Sequence, residues 1–154
     1  MPDISFREGA AATNRDGVDI VISLTANEAA AVPELGPLAD AFSGVLEGLA
    51  ALRSGRVPAD PDQGPGARPE RDADAETWAA VIRAVEQQLR PRLEGIRDAA
   101  MRAHAADSGS YGQLARALGV TARSTAQYRR DKLKEQMPSD WEIWALTGKA
   151  PTQD

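Results

Sequence analysis

The run from Ser110 to Lys134, SYGQLARALGVTARSTAQYRRDKLK, holds two helices and the turn between them in a register that leaves little freedom. Ser110 and Gln113 make an S-x-x-Q capping box, which satisfies amides at a helix start and predicts a first helix from about Tyr111. Leu114, Ala115 and Leu118 recur at helical spacing, and Gly119 follows where a helix end needs a left-handed residue. Val120 supplies an apolar plug for the turn. Thr121 is placed to cap a second helix, whose inward face runs through Ala122, Ala126, Leu133 and Met137. Two helices crossing at about 90–120° need small residues at the crossing, and Ala115 and Gly119 provide them.

Opposite that inward face the second helix carries Arg123, Ser124, Gln127 and Tyr128, with Arg129, Arg130, Lys132 and Lys134 around its flanks. Arginine pairs bidentately with guanine and glutamine with adenine in the major groove, whereas flanking lysines and arginines neutralise phosphates. The first four are therefore the expected base-reading set. The backbone-contacting set adds Ser110, Tyr111 and Thr121 to the four flanking cations.

The pattern L-A-x-x-L-G-V-T followed by R-S-T-A resembles the helix-turn-helix family of bacterial DNA-binding regulators. The residues that carry it are Leu114, Ala115, Leu118, Gly119, Val120 and Thr121, then Arg123 to Ala126. The resemblance implies a buried residue six positions after the turn glycine, at Thr125; one extra turn residue, Ala122, leaves Thr125 and Ala126 as alternatives. It implies a double-stranded DNA partner and a transcriptional role, with plasmid or phage DNA maintenance and sigma-like polymerase recruitment built from the same parts. The competing reading is a helical hairpin with a basic solvent face, serving as a protein-interaction adaptor.

The whole chain is acidic, with formal net charge -5 and pI near 5.0, so it is no basic DNA-coating protein. Its charge is segregated. In the first fifty residues Asp3, Glu8, Asp16, Asp19, Glu28, Glu34, Asp40 and Glu47 face only Arg7 and Arg15, which suits a protein partner or self-association. There is no cysteine, which excludes disulfides, thiol catalysis and cysteine zinc sites. No apolar run of about 20 residues and no signal peptide are read, so no membrane contact and a cytoplasmic, nucleoid-associated location are expected.

Ahead of the basic run, Ile4–Arg7 and Val18–Leu24 read as a hairpin across the loop EGAAATNRDG. Thr25 and Glu28 form a second capping box, starting a short helix near Ala26 that ends before Pro33. From Pro37 to Ser54, Leu38, Phe42, Val45, Leu46, Leu49 and Leu52 make an apolar stripe too large for so small a segment to bury. Residues 1–53 are thus expected to be a homodimerisation module, which would set two reading helices on half-sites about 34 Å apart. The strand-helix-helix order also resembles ribbon-helix-helix proteins, but Pro33 and Pro37 interrupt it and Asp19 and Ser23 lack DNA-reading chemistry.

Residues 54–71, rich in proline, glycine and charge, read as a flexible linker; Gly64-Pro65-Gly66 lacks the context of a phosphate loop. Trp78, Val81, Ile82, Val85, Leu89, Leu93, Ile96 and Ala100 then keep one helical phase to about Ala106, with a kink or break expected at Pro91. Ser139 and Glu142 cap a last helix, Asp140 to about Thr147, whose Trp141 and Trp144 are expected to pack back on the preceding helices.

Catalysis is not expected. His104, the one histidine, is read as solvated or interfacial, and Asp72, Asp74 and Glu76 as acids at a helix start rather than metal ligands. Tyr128 beside Arg129 and Arg130 lacks the histidine-arginine constellation of a strand-transfer tyrosine. No cofactor and no metal are called for. The expected protein is mainly α: a small strand-plus-helix (α+β) association module (1–53), a linker (54–71), and a trihelical helix-turn-helix domain (72–154).

Overall fold

The computed structural model describes residues 3–13, 17–32, 34–58, 70–149 and 151. They are mainly helical and divide into two compact units, residues 1–35 and 36–154. Part of the expected hairpin loop and the core of the expected linker, including Gly64-Pro65-Gly66, lie outside the described residues.

In the first unit, β1 (Asp3–Gly9) pairs antiparallel with β2 (Gly17–Ser23), followed by α1 (Ala26–Ala31). Ile4 stands opposite Ile22, and Phe6 opposite Ile20, so one face of the ribbon is apolar. The Thr13 amide and hydroxyl both donate to Asp19 Oδ2 at 2.8 Å, tying the loop to β2. The Thr25–Glu28 capping box opens α1 as its sequence predicts.

The second unit begins at Gly36 and holds all but the first residue of α2 (Leu35–Ser54) together with the helices that follow it. A short ribbon of β3 (Arg56–Pro58) and β4 (Glu70–Asp72) occupies the two ends of the expected linker. α3 (Ala75–Arg83) starts at an Asp74–Thr77 capping box. A π-helical stretch, Ala84–Leu89, then leads into α4 (Arg90–Ala106). The helix does not break at Pro91. The disturbance falls one turn earlier, where Arg90 N–H reaches back to Val85 O, an i−5 bond that widens the turn ahead of the proline ring.

The apolar stripe of α2 is left exposed, as expected of a segment too small to bury it, and what the helix buries is its small residues. These are Ala41, Gly48 and Ala51, while Phe42, Leu46, Leu49 and Leu52 are exposed. A β-carbon on Gly48 would collide with the Val81 side chain, and one on Gly44 would touch Ala84. Gly48 stands where the Val81 side chain leaves no room for a β-carbon, which only glycine satisfies. By length and mean hydropathy alone α2 is apolar enough to cross a membrane, a test that core helices of soluble proteins also pass; its alanines and glycines extend an apolar run in which only Asp40 and Glu47 carry charge between residues 35 and 52.

α5 (Tyr111–Ala117), α6 (Arg123–Glu135) and α4 enclose a core of Met101, Leu114, Ala115 and Ala126, with Leu118, Val120 and Leu133 packed around it. α7 (Asp140–Thr147) lies on α4. Trp144 is buried and Trp141 half-buried, their rings edge-to-face at 5.7 Å, as the packing expectation requires. The Arg92 guanidinium sits 4.9 Å from the Trp141 ring centroid. Gly95 is the contact point beneath them, since any β-carbon there would run into the Trp141 backbone. Glu142, 2% exposed, accepts from the Ser139 amide on one oxygen at 2.9 Å and from Arg102 Nε on the other at 2.7 Å.

Candidate nucleic-acid interface

The turn between α5 and α6 is built from local hydrogen bonds. Ser110 N–H donates to Gln113 Oε1 at 2.9 Å and Gln113 N–H to Ser110 Oγ at 3.2 Å, completing the predicted box. At the other end Gly119 adopts φ 65°, its N–H bonding Arg116 O at 3.1 Å, while Val120 N–H bonds Ala115 O at 3.0 Å. This pair of bonds is a Schellman motif, which needs a left-handed residue where the glycine stands. Val120, half-buried, fills the space under the turn.

Thr121 does not cap α6. The N-cap is Ala122, and no side chain among the described residues bonds the amides at the helix start. Ala122 is thus exposed and outside the helix rather than on its inward face. Met137, 88% exposed, falls beyond the last helical residue, Glu135, and is not inward either. Of the two alternatives for the buried position, Ala126 is the buried residue, at 0% exposed, and Thr125 is half-buried.

With Ala126 inward, a step of about 100° per residue turns Ser124, Gln127 and Tyr128 outward. All three are exposed, Tyr128 at 66%. Arg123 is exposed as well and bends over α5, its guanidinium 3.5 Å from where a β-carbon on Gly112 would stand. A cleft of about 630 Å³ opens between the starts of the two helices, where Arg123 and Gln127 meet Ser110, Thr121 and Arg116. Arg116 had no place in the sequence reading; it sits in the last turn of α5, and only the crossing of the helices brings it beside Arg123.

On the other flank Arg129 and Lys132 border a groove with Arg97 of α4. Arg129, Lys132 and Lys134 are exposed. Arg130 and Tyr111 are placed differently from the sequence expectation of backbone contacts. The Arg130 guanidinium lies 3.6 Å from the Tyr111 ring centroid and donates to Gly109 O at 2.8 Å. Tyr111 in turn reaches Asp131 Oδ1 at 3.4 Å. Both side chains are half-buried and belong to the joint between α5 and α6.

His104 is also not solvated. Its ring packs over Gly109, and both ring nitrogens are buried without a hydrogen-bond partner among the described residues. Beside it Ser108 takes φ 61°, with Ser108 N–H bonding Ala105 O and Gly109 N–H bonding His104 O, a second Schellman motif that ends α4. Among the described residues no group of three or more histidines and carboxylates is arranged to hold a metal. No protein family, curated protein or solved structure matches this chain.

Proposed function

We propose that α4, α5 and α6 form a helix-turn-helix unit that binds double-stranded DNA sequence-specifically, and that the protein is a transcriptional regulator. In this reading α6 enters the major groove. Arg123, Ser124, Gln127 and Tyr128 read base edges; Arg129, Lys132 and Lys134 contact phosphates, joined by Ser110, Thr121 and Arg116 at the cleft.

The observation that carries the proposal is the rotation of α6. Ala126 is wholly buried, so hydrogen-bonding side chains occupy the outward face, and cations stand on both flanks. Residues 123–135 hold five basic and two acidic side chains in a chain of net charge -5, so positive potential is concentrated on this helix. The uncapped amides at the start of α6 add partial positive charge beside the cleft. Arg130 and Tyr111 take a positioning role, setting the angle between α5 and α6.

The test is duplex binding as a function of salt. Log affinity should fall linearly with log salt concentration, with a slope of about -0.9 per phosphate contact, and selection from random duplexes should return a defined site. Absence of salt-dependent binding would assign the unit to a protein partner instead.

A further inference from the structure

We infer that the apolar face shared by α2, α3 and α4 is covered by a second copy of this chain. Such pairing follows from helix packing alone and is independent of DNA binding.

On α2 Gly44 faces Ala84 and Gly48 faces Val81, and the buried Ala41 and Ala51 lie on the same side of the helix. The residues immediately following these are Phe42, Val45, Leu49 and Leu52, about 100° further round the helix. On the partner strip the contact residues are Val81 and Ala84, and the residues following them are Ile82 and Val85. Gly44 faces Ala84 and Gly48 faces Val81, so the two helices run antiparallel. An equal rotation in antiparallel helices turns both flanks to the same side of the pair. Phe42, Val45, Leu49 and Leu52 therefore share one face with Ile82 and Val85, and the exposed Leu46, one turn from both Phe42 and Leu49, extends its outer edge. The face continues along the next helix, because Val85, Leu89 and Leu93 line a single shallow groove, with Ile96 one turn beyond Leu93.

The size of this face selects its occupant. Its eight most exposed large apolar residues are 36% to 66% exposed. At roughly 200 Å² for each such residue when free, they leave on the order of 800 Å² of apolar-residue surface in water. That exceeds the largest patch of an ordinary monomer, about 300–600 Å², and equals what one partner contributes to a stable interface, about 800 Å². Two antiparallel pairs closing on each other by a two-fold axis make a four-helix packing in which the face is its own complement. Arg90, Glu94 and Arg97 stand along the rim of the groove, so charges of both signs border it.

Sedimentation equilibrium of the full chain tests this. The chain of 16.4 kDa should sediment as two copies at micromolar concentration. The double substitution Leu46→Glu, Leu93→Glu should raise the dimer dissociation constant by about 100-fold or more, with helical circular dichroism retained. Phe6→Glu, on the β1–β2 hairpin, should leave the mass at two copies. Should the double variant lose its helicity, the chain's lack of cysteine allows a single nitroxide at Leu49→Cys, whose dipolar coupling to the second copy reads the contact directly. A monomeric wild-type chain, a double variant that stays dimeric, or a label without coupling overturns the inference. So does a wild-type chain that is monomeric in buffer and floats with phosphatidylcholine vesicles, which would give the face to a membrane.

Discussion

Arg130 stacks its guanidinium on the ring of Tyr111, 3.6 Å from the centroid, and donates one N–H to the carbonyl of Gly109. A residue on the basic helix, in line with side chains that face solvent, is thus a brace between α6, the start of α5 and the turn that ends α4. Arg130→Ala should cost about 2 kcal/mol in unfolding free energy, from removal of the cation–π stack and the charged hydrogen bond together. Arg130→Lys should recover little, since an ammonium cannot stack as the planar fork does. Chemical denaturation checks both; a fully stable Arg130→Ala chain would refute the brace.

Reading and steering residues on α6 should fail differently. Gln127→Ala or Arg123→Ala should cost about 1–3 kcal/mol on the preferred site and relax preference at one or two base pairs, with random duplex little affected. Lys132→Ala and Lys134→Ala should weaken all duplexes alike and lower the salt slope by about one for each phosphate no longer neutralised. Titrations on both duplex types at several salt concentrations distinguish the two classes.

The two tryptophans of α7 are not equivalent. Trp144→Ala empties a buried position and should destabilise by about 3–5 kcal/mol, whereas Trp141→Ala, at a half-buried site under Arg92, should cost less. Gly95→Ala should undock α7 by a different route, because the added methyl meets Trp141 backbone rather than a movable side chain. Thermal melts followed by tryptophan fluorescence report all three; equal destabilisation by the two tryptophan substitutions would contradict the assignment.

Glu142 links stability to pH. Burial opposes its ionisation, but hydrogen bonds from Arg102 and from the Ser139 amide, with the Arg102 charge, outweigh it and hold the carboxyl below its ordinary value of 4.5. The folded value is depressed, so this contribution is fully present above pH 4.5 and is lost as the pH falls through the folded value. Glu142→Gln should flatten that acid limb. Arg102→Ala, which strands a buried carboxylate, should cost about 3–5 kcal/mol at neutral pH. Unfolding free energies measured from pH 3 to 7 test the sign.

Ser108 holds a left-handed conformation that glycine adopts freely. Ser108→Gly should therefore stabilise the chain by about 1 kcal/mol. A denaturant midpoint that shifts downward would show that the serine side chain makes a compensating contact.

What could be read along the chain was what a single turn can satisfy. The Thr25–Glu28, Ser110–Gln113 and Ser139–Glu142 boxes and the left-handed Gly119 form where their spacing predicts, because each hydrogen bond joins residues within one helical turn. The hairpin of residues 4–7 with 18–24 was legible for a related reason, alternation with a period of two, whereas the register that sets Ile4 opposite Ile22 came from the structure.

The choices left to the tertiary structure were those among competing partners. Periodicity marked α2 as apolar along Phe42, Leu46 and Leu49, yet the side chains of Val81 and Ala84 meet it at Gly48 and Gly44, where small residues leave them room. The same holds for Ala126 over Thr125 at the centre of α6, for Arg130 turning from solvent to Tyr111, and for His104 closing over Gly109. A capping hydrogen bond depends on atoms three residues away, whereas burial depends on whatever the fold sets opposite, and nothing within one turn of α2 or α6 encodes that neighbour.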